Sequence, residues 1–587
     1  MLTWDISSIF ANSESWRDEF RSVKKECSAI EHYQLSPLSD PQVLHSCLHT
    51  VDRIQERLAR LESFAELRSY ENTLDQSALM MADECKALRS RVESLSSFIE
   101  PTILGLGWDV VDRMLQSYPP LQTYRFYLEN LEKTRRHVLS AEVEAALAIV
   151  NTRAYTPYEV YRAAVEQDLS FDPIDVAAGS LSVDHGTIDT LLSSTDSKTR
   201  QQAYESYGDG YLSIKYTLAA TLTSLVQSSL AEAHVRHFTS TFEQVFFDQD
   251  IPSGVYDTSV GSCLASQGVF QRYFELRAAR FGCITMGEHD IFAPLSDNPP
   301  KISYDDGIEM IFESLAPLGE RYLETLWRGL LVERWADVEP RPHKQSGAFS
   351  AGTYGTHPFL MLSYHGSVID ISTLAHEAGH SVHSYMTNST QPSCYSDYAM
   401  IVAETASNLN QVLLREHIFS KGDRELSLAA LDDAFYFMHR YLFLMPILSS
   451  LERKTHDEYA SGGSVSLDDL CEWTREAFTT AYGPAVTCDE ERVGIKWAQY
   501  AHLYDPGYPF QYIVGLSAAL VIGKRFRAGE EGLKERYEEF LSAGSSMPPA
   551  DIFKIVGIDI SSPELYRSAF REVERYNQIL EDALRKS

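Results

Sequence analysis

Residues 373–383 read Thr-Leu-Ala-His-Glu-Ala-Gly-His-Ser-Val-His. On a helix, His376 and His380 lie four positions apart on one face, so both imidazoles can reach one cation, and Glu377 stands beside them as a candidate general base. This H-E-x-x-H spacing suits metal-assisted hydrolysis. At about 100° per residue, Ile371, Leu374, Ala378, Val382 and Tyr385 share one side of the predicted helix, whereas His376, His380 and His383 share the other. The apolar stripe is expected to face a core and the histidine stripe a cleft. Histidines serving only as packing would be mixed into the apolar face.

Two imidazoles leave a catalytic zinc one short of its usual three protein ligands. Met386 stands where the longer H-E-x-x-H-x-x-G-x-x-H pattern needs a third histidine, and His383 takes that pattern's glycine place. A further helix is predicted from Val402 through Gln411. Its apolar residues Val402, Ala406, Leu409 and Leu413 stripe one face and Glu404 projects from the opposite one, which makes Glu404 the best third ligand.

Thr373 to Thr387, TLAHEAGHSVHSYMT, followed by SDYAMIVAETASNLNQ, resembles the metal site of the oligoendopeptidase F branch of the thimet-oligopeptidase family of zinc peptidases. The start from Trp4 to Phe10 with Trp16, the segment Ile251 to Leu276, and Ile302 to Trp335 are similar to further parts of that family, so the likeness spans nearly the whole chain. It implies a mainly α molecule, a large helical ellipsoid enclosing a deep substrate channel that admits oligopeptides and excludes folded proteins. It also implies one zinc ion per chain at His376, His380 and Glu404. One position departs: the family usually carries a second Glu seven residues after the ligand Glu, where this chain has Gln411. Glutamine can orient a neighbour but brings no charge, so the change is expected to tune metal affinity.

Far downstream, Asp505-Pro506-Gly507 and Pro509 force a loop between helices predicted over Arg492 to Tyr500 and Ile513 to Phe526. The family's corresponding segment brings a histidine and tyrosine hydroxyls to the metal. His502 and Tyr508 match by order, Tyr512 is taken as the second tyrosine, and Tyr504 stays open beside it. The expected chemistry has water activated at zinc, Glu377 taking its proton and passing it to the departing amine, and Tyr508 with His502 stabilising the oxyanion. Two other readings stand beside this endopeptidase: a dipeptidyl carboxypeptidase-type exopeptidase with the same chemistry, and a non-catalytic zinc-stabilised helical binding protein. The presence of Glu377 and of the His/Tyr loop speaks against the last, because a structural zinc closes its fourth position and needs no base.

The elements that must position these residues are mostly helical. Leu44, Leu48, Val51, Ile54, Leu58, Leu61, Phe64 and Leu67 recur at helical steps, and Leu88, Val92, Leu95 and Phe98 follow before Pro101, which is expected to stop the second helix of an antiparallel hairpin. Pro173, Gly179 and Gly186 interrupt the pattern between Phe171 and Asp196. A division is therefore expected into an N-terminal helical domain, 1–195, walling or covering the channel, and a catalytic domain, 196–587. Ser346 to Tyr354 and Pro358 to Tyr364 are β-compatible and predict a small sheet beside the zinc-site helices, one edge of which could pair with an extended peptide.

With 83 acidic against 51 basic residues the net charge is −32, which argues against nucleic acid or an anionic membrane as partner. The surplus suits plain solubility or a preference for cationic peptides. The eight cysteines are scattered without a C-x-x-C pair, as expected for reduced, mostly core thiols in the cytoplasm. Met1 to Ala11 lacks a basic flank and an apolar run of signal-peptide type. Walker, G-x-G-x-x-G and G-x-S-x-G patterns are missing, so phosphate, dinucleotide and serine-hydrolase chemistry have no footing.

Overall fold

Asp40 starts the first long helix: its Oδ1 accepts from the backbone N–H groups of Gln42 (2.8 Å) and Val43 (3.3 Å), and Pro41 occupies the first turn, where a missing N–H costs nothing. The helix, α1 (Pro41–Glu71), buries its whole predicted stripe from Leu44 to Leu67. Asp75 caps α2 (Gln76–Ser96) in the same way, and Arg89 of α2 clamps Glu62 of α1 across the hairpin (Nε to Oε1 2.7 Å). Pro101 does not stop this helix. α2 ends at Ser96, and Pro101 lies in the first turn of a following helix, Ile99–Leu106, a position proline tolerates. The structure, a computed structural model, describes residues 3–151, 153–176 and 179–585.

The chain is mainly α, and its contacts divide it into two compact units of three segments each. The first contains Met1–Arg136, Ile302–Ala399 and Glu531–Val556; the second contains His137–Lys301, Met400–Glu530 and Gly557–Ser587. This partition cuts the chain at other places than the functional division expected at 195/196. Within the expected break between Phe171 and Asp196, strands Ile174–Val176 and Gly179–Leu181 form a small antiparallel hairpin, with residues 177 and 178 outside the described residues.

In the first unit, Trp16 is wholly buried and its indole N–H donates to the Leu61 carbonyl (2.9 Å). The same core runs on into Phe359 and Met361 of a three-stranded sheet. Its strands are β1 (Ala336–Asp337), β2 (Phe349–Ala351) and β3 (Phe359–Met361), in the order β1-β3-β2, with β1 parallel and β2 antiparallel to β3. β2 and β3 are shorter than the predicted strands because Gly352 (φ +149°) and Gly355 (φ +80°) turn the chain between them. The sheet packs on α3 (Val368–Thr390), which a capping box opens: Ser367 Oγ accepts from Asp370 N (3.1 Å) and Asp370 Oδ2 from Ser367 N (2.8 Å). Ile371, Leu374, Ala378 and Val382 of α3 are fully buried, and Thr387 near its end donates to the Leu541 carbonyl of the helix Leu533–Ser542 (2.9 Å).

The second unit is built around α4 (Met400–Lys421) and α5 (Pro509–Arg527), its most extensively packed helix pair. Two glycines of α5 make the approach possible. A Cβ on Gly515 would lie 2.6 Å from Glu404 Cβ, and one on Gly523, two turns on, 2.5 Å from Val412 Cγ1. Val402, Ala406, Leu409 and Leu413 of α4 are buried as the periodicity predicts. Cys27, Cys47, Cys85 and Cys263 are buried and the other four cysteines half-buried. Among the described residues no helix is long and apolar enough to cross a membrane.

Candidate metal centre

His376 and His380 stand one turn apart on α3, half-buried, with their rings 4.8 Å apart and nearly perpendicular. The carboxylate side chain of Glu377 is buried beside them. Ser381 locks the next turn: its hydroxyl donates to the Glu377 carbonyl (2.8 Å) and meets Ser350 Oγ of β2 (2.8 Å), so the small sheet fixes the stretch that carries both histidines. The ligand atoms of His376, His380 and Glu404 all lie within 4.8 Å of one another.

His383 does not share the open stripe expected for it. Its ring is fully buried, stacked on Tyr398 at 3.8 Å, and burial pushes its pKa down to about 3. The segment following α3 brings Tyr398 back over that face, so the periodicity of the helix alone could not have shown the cover. Tyr385, expected on the apolar side, is half-buried and bonds the Arg328 guanidinium.

Glu404 is held by its own helix, with Asn408 Nδ2 donating to the Glu404 carbonyl (2.6 Å) and to Oε2 (3.2 Å). Burial pushes its carboxyl up to about 7, against the opposing pull of Asn408 and the Arg440 charge. Burial also holds His380 well below its ordinary value, helped by His376 and His383, so the ring stays neutral. Two imidazoles and one carboxylate are a donor set that zinc favours. Gln411, two turns beyond Glu404, is wholly buried and adds no carboxylate there.

The downstream loop folds differently from its prediction. Arg492 to Tyr500 is a short α-turn, Glu490–Gly494, followed by a 3-10 stretch, Ile495–Gln499, and α5 begins at Pro509, which puts Tyr512 in its first turn and Tyr508 immediately before it. The hydroxyls of Tyr508 and Tyr512 are 2.9 Å apart, and the His502 ring lies 5.6 and 5.9 Å from theirs. Burial raises both phenol pKa values, and the charge of Glu404 adds to the rise. His502 is pushed down to about 4 by burial and then by Arg440. Tyr504 faces elsewhere, its hydroxyl against Thr221 Oγ1 (2.6 Å) and the Leu218 carbonyl (3.3 Å). Gly507, at φ +74°, makes the turn and donates its N–H to the buried Glu452 (2.9 Å).

Arg440 escaped the sequence reading. It sits in a π-helical stretch, His439–Leu444, close enough to Glu404 and His502 to shift both. The signal was present: Arg440 is the one permanent charge in the apolar run Phe435 to Leu448.

Comparison with known proteins places these features in context. The model of Peptidase family M3 matches residues 190–572, and one described as Oligopeptidase F matches residues 103–171. Oligopeptidase PepF of Bacillus subtilis is 30% identical over 587 residues, covering 100% of this chain and 87% of its own. The oligoendopeptidase F homolog of Lactococcus lactis is 28% identical over 589 residues, covering 100% and 98%. A putative peptidase from Chlamydophila abortus superimposes with a TM-score of 0.89 at 27% identity, over 99% of this chain and 98% of that one. The oligoendopeptidase-F of Enterococcus faecium, at 24% identity and a TM-score of 0.76 over 98% and 100%, shares the fold.

Proposed function

The chain belongs to peptidase family M3, and on that footing we propose that it is a zinc-dependent endopeptidase of short oligopeptides, with His376, His380 and Glu404 as the zinc ligands. It is a metalloendopeptidase by its family. The observation that carries the finer reading is the nearness of those three donor groups within 4.8 Å. Zinc, when bound there, supplies Lewis acidity that polarises the scissile carbonyl and acidifies water.

The chain's own groups do the rest. Glu377, buried next to the two histidines, accepts the proton of the attacking water on its carboxylate and returns it to the departing amine. Tyr508 keeps its proton at neutral pH because burial raises its pKa, so it donates a hydrogen bond to the carbonyl oxygen as negative charge develops there. Neutral His502 adds an N–H from the same side, and Tyr512 orients Tyr508 through their shared hydrogen bond. An extended substrate pairs along the open edge of β2, which takes any sequence through backbone bonds. A peptide-bound structure without main-chain pairing to residues 346–364 removes that part of the reading. We take segment 1–195 to limit access to the catalytic segment, 196–587, so that folded proteins are refused, and the enzyme to work in the cytoplasm.

The deciding experiment maps products of a peptide blocked at both termini, with the chain metal-free and after zinc is restored. Internal cleavage that needs zinc is expected. Cleavage confined to peptides with a free C-terminus shifts the reading to an exopeptidase, and cleavage unaffected by zinc removal overturns the metal assignment.

A further inference from the structure

The second unit encloses a cavity of about 470 Å³, within the range of small-ligand sites. His502 and Arg440 both line it, so it adjoins the loop that carries Tyr508. Its walls are rich in tyrosine, and four cations border it. Three of these are already matched. Lys496 pairs with Glu288, Arg492 with Asp209 and Asp489 (2.9 Å each), and Arg162 with Glu166 (2.9 Å).

Arg440 is the exception: among the described residues no carboxylate lies within 4.0 Å of its guanidinium. Its near neighbours are the tyrosines 436, 441, 500 and 512. Asp189, the one wall carboxylate without a cation, is exposed and accepts the Tyr436 hydroxyl (3.3 Å). Glu404 lies beyond ion-pair range of Arg440 and belongs to the metal centre. A largely desolvated guanidinium with no counter-ion is costly to keep. Its planar fork matches a carboxylate through two parallel hydrogen bonds, and such charge-assisted pairs gain strength where water is excluded.

We propose that Arg440 receives a carboxylate of the bound peptide in this cavity, either the C-terminal one or an acidic side chain, so that the cavity selects substrates by an anionic group near the scissile bond. This rests on the peptidase reading. It supplies a length or sequence preference that backbone pairing cannot.

Two peptide pairs separate the sources of the carboxylate: one sequence with a free or an amidated C-terminus, and one amidated sequence with an internal Glu or Gln. The zinc-loaded native chain is expected to show a kcat/KM about tenfold or more higher for the carboxylate member of one pair. A preference within the first pair assigns the terminal group, and one within the second pair only assigns a side chain. Arg440→Gln is expected to shrink the ratio towards one, with Arg440→Lys retaining part of it. Calorimetric binding of the same pairs to Glu377→Gln reads recognition without turnover. Equal binding and equal kcat/KM within both pairs overturn the inference while leaving the peptidase reading intact. If the native chain cleaves nothing, the peptidase reading fails, and the binding ratio still judges Arg440.

Discussion

Helix α3 and the loop from Ala501 to Tyr512 contribute groups to the proposed chemistry in opposite ways. In α3 the spacing of His376, Glu377 and His380 is built into one capped helix, with a buried apolar face and a serine link to β2. In the loop, His502 and Tyr508 sit on short irregular turns held by distant partners, Gly507 by Glu452 and Tyr504 by Thr221. Metal affinity depends on fixed donor positions. Oxyanion stabilisation depends on a donor aimed at where charge develops. Damage to α3 or to α4 should therefore appear first as lost metal, and damage to the loop as lost turnover.

The strongest attack on this contrast is Glu404→Ala. Two imidazoles leave zinc one protein ligand short, so bound zinc measured by elemental analysis should fall and activity should drop to background. Retention of one zinc per chain at native affinity would remove Glu404 from the ligand set. Glu377→Gln separates metal from chemistry. Zinc should stay, while kcat falls by about 10²–10⁴. A native rate in this variant would end the general-base assignment.

Tyr508→Phe tests the loop. It deletes one donor and leaves the ring, so kcat should fall by about 10²–10³ with zinc content unchanged. A variant that instead raised KM alone would make Tyr508 a binding group. Gly515→Ala then tests whether a residue outside the motif belongs on the metal side of the comparison. Its new methyl collides with Glu404 Cβ, which a helix cannot easily yield, so zinc affinity should weaken by about 10–100-fold in a competition titration against a chelator. Unchanged affinity would show that α4 has slack to shift.

The same contrast explains what was legible in the residues. The α3 motif, the buried stripe of α4 and the hairpin of α1 and α2 follow a 3.6-residue period, which local sequence carries. Tyr398 covering His383 and Tyr504 turning to Thr221 are set by chain reversal or by a tertiary partner hundreds of residues away, and no period records them; the start of α5 at Pro509 is local, since proline suits the first helical position as well as a loop. The loop residues His502 and Tyr508 were found by resemblance, not by pattern. Arg440 was visible as a lone charge in an apolar run, but its meaning depends on which carboxylates it fails to meet.

Glu452 gives the smallest effect and the sharpest check on how the loop is held. It is buried, accepts from Gly507 N at 2.9 Å, and burial raises its pKa well above the ordinary carboxylate value, helped by the Asp505 charge. The folded chain therefore keeps this proton at pH values where the unfolded chain, at about 4.3, has lost it. With more protons bound in the folded state than in the unfolded state, this group's contribution to stability falls as pH rises from about 4 until the raised folded pKa is reached. Glutamine keeps an acceptor for Gly507 and cannot ionise. Glu452→Gln should thus flatten this part of the curve and leave the variant more stable than the native chain above that window, as read from denaturant midpoints at a series of pH values. Parallel pH curves for the two chains would mean that Glu452 titrates normally and that the turn carrying Tyr508 is anchored by other contacts.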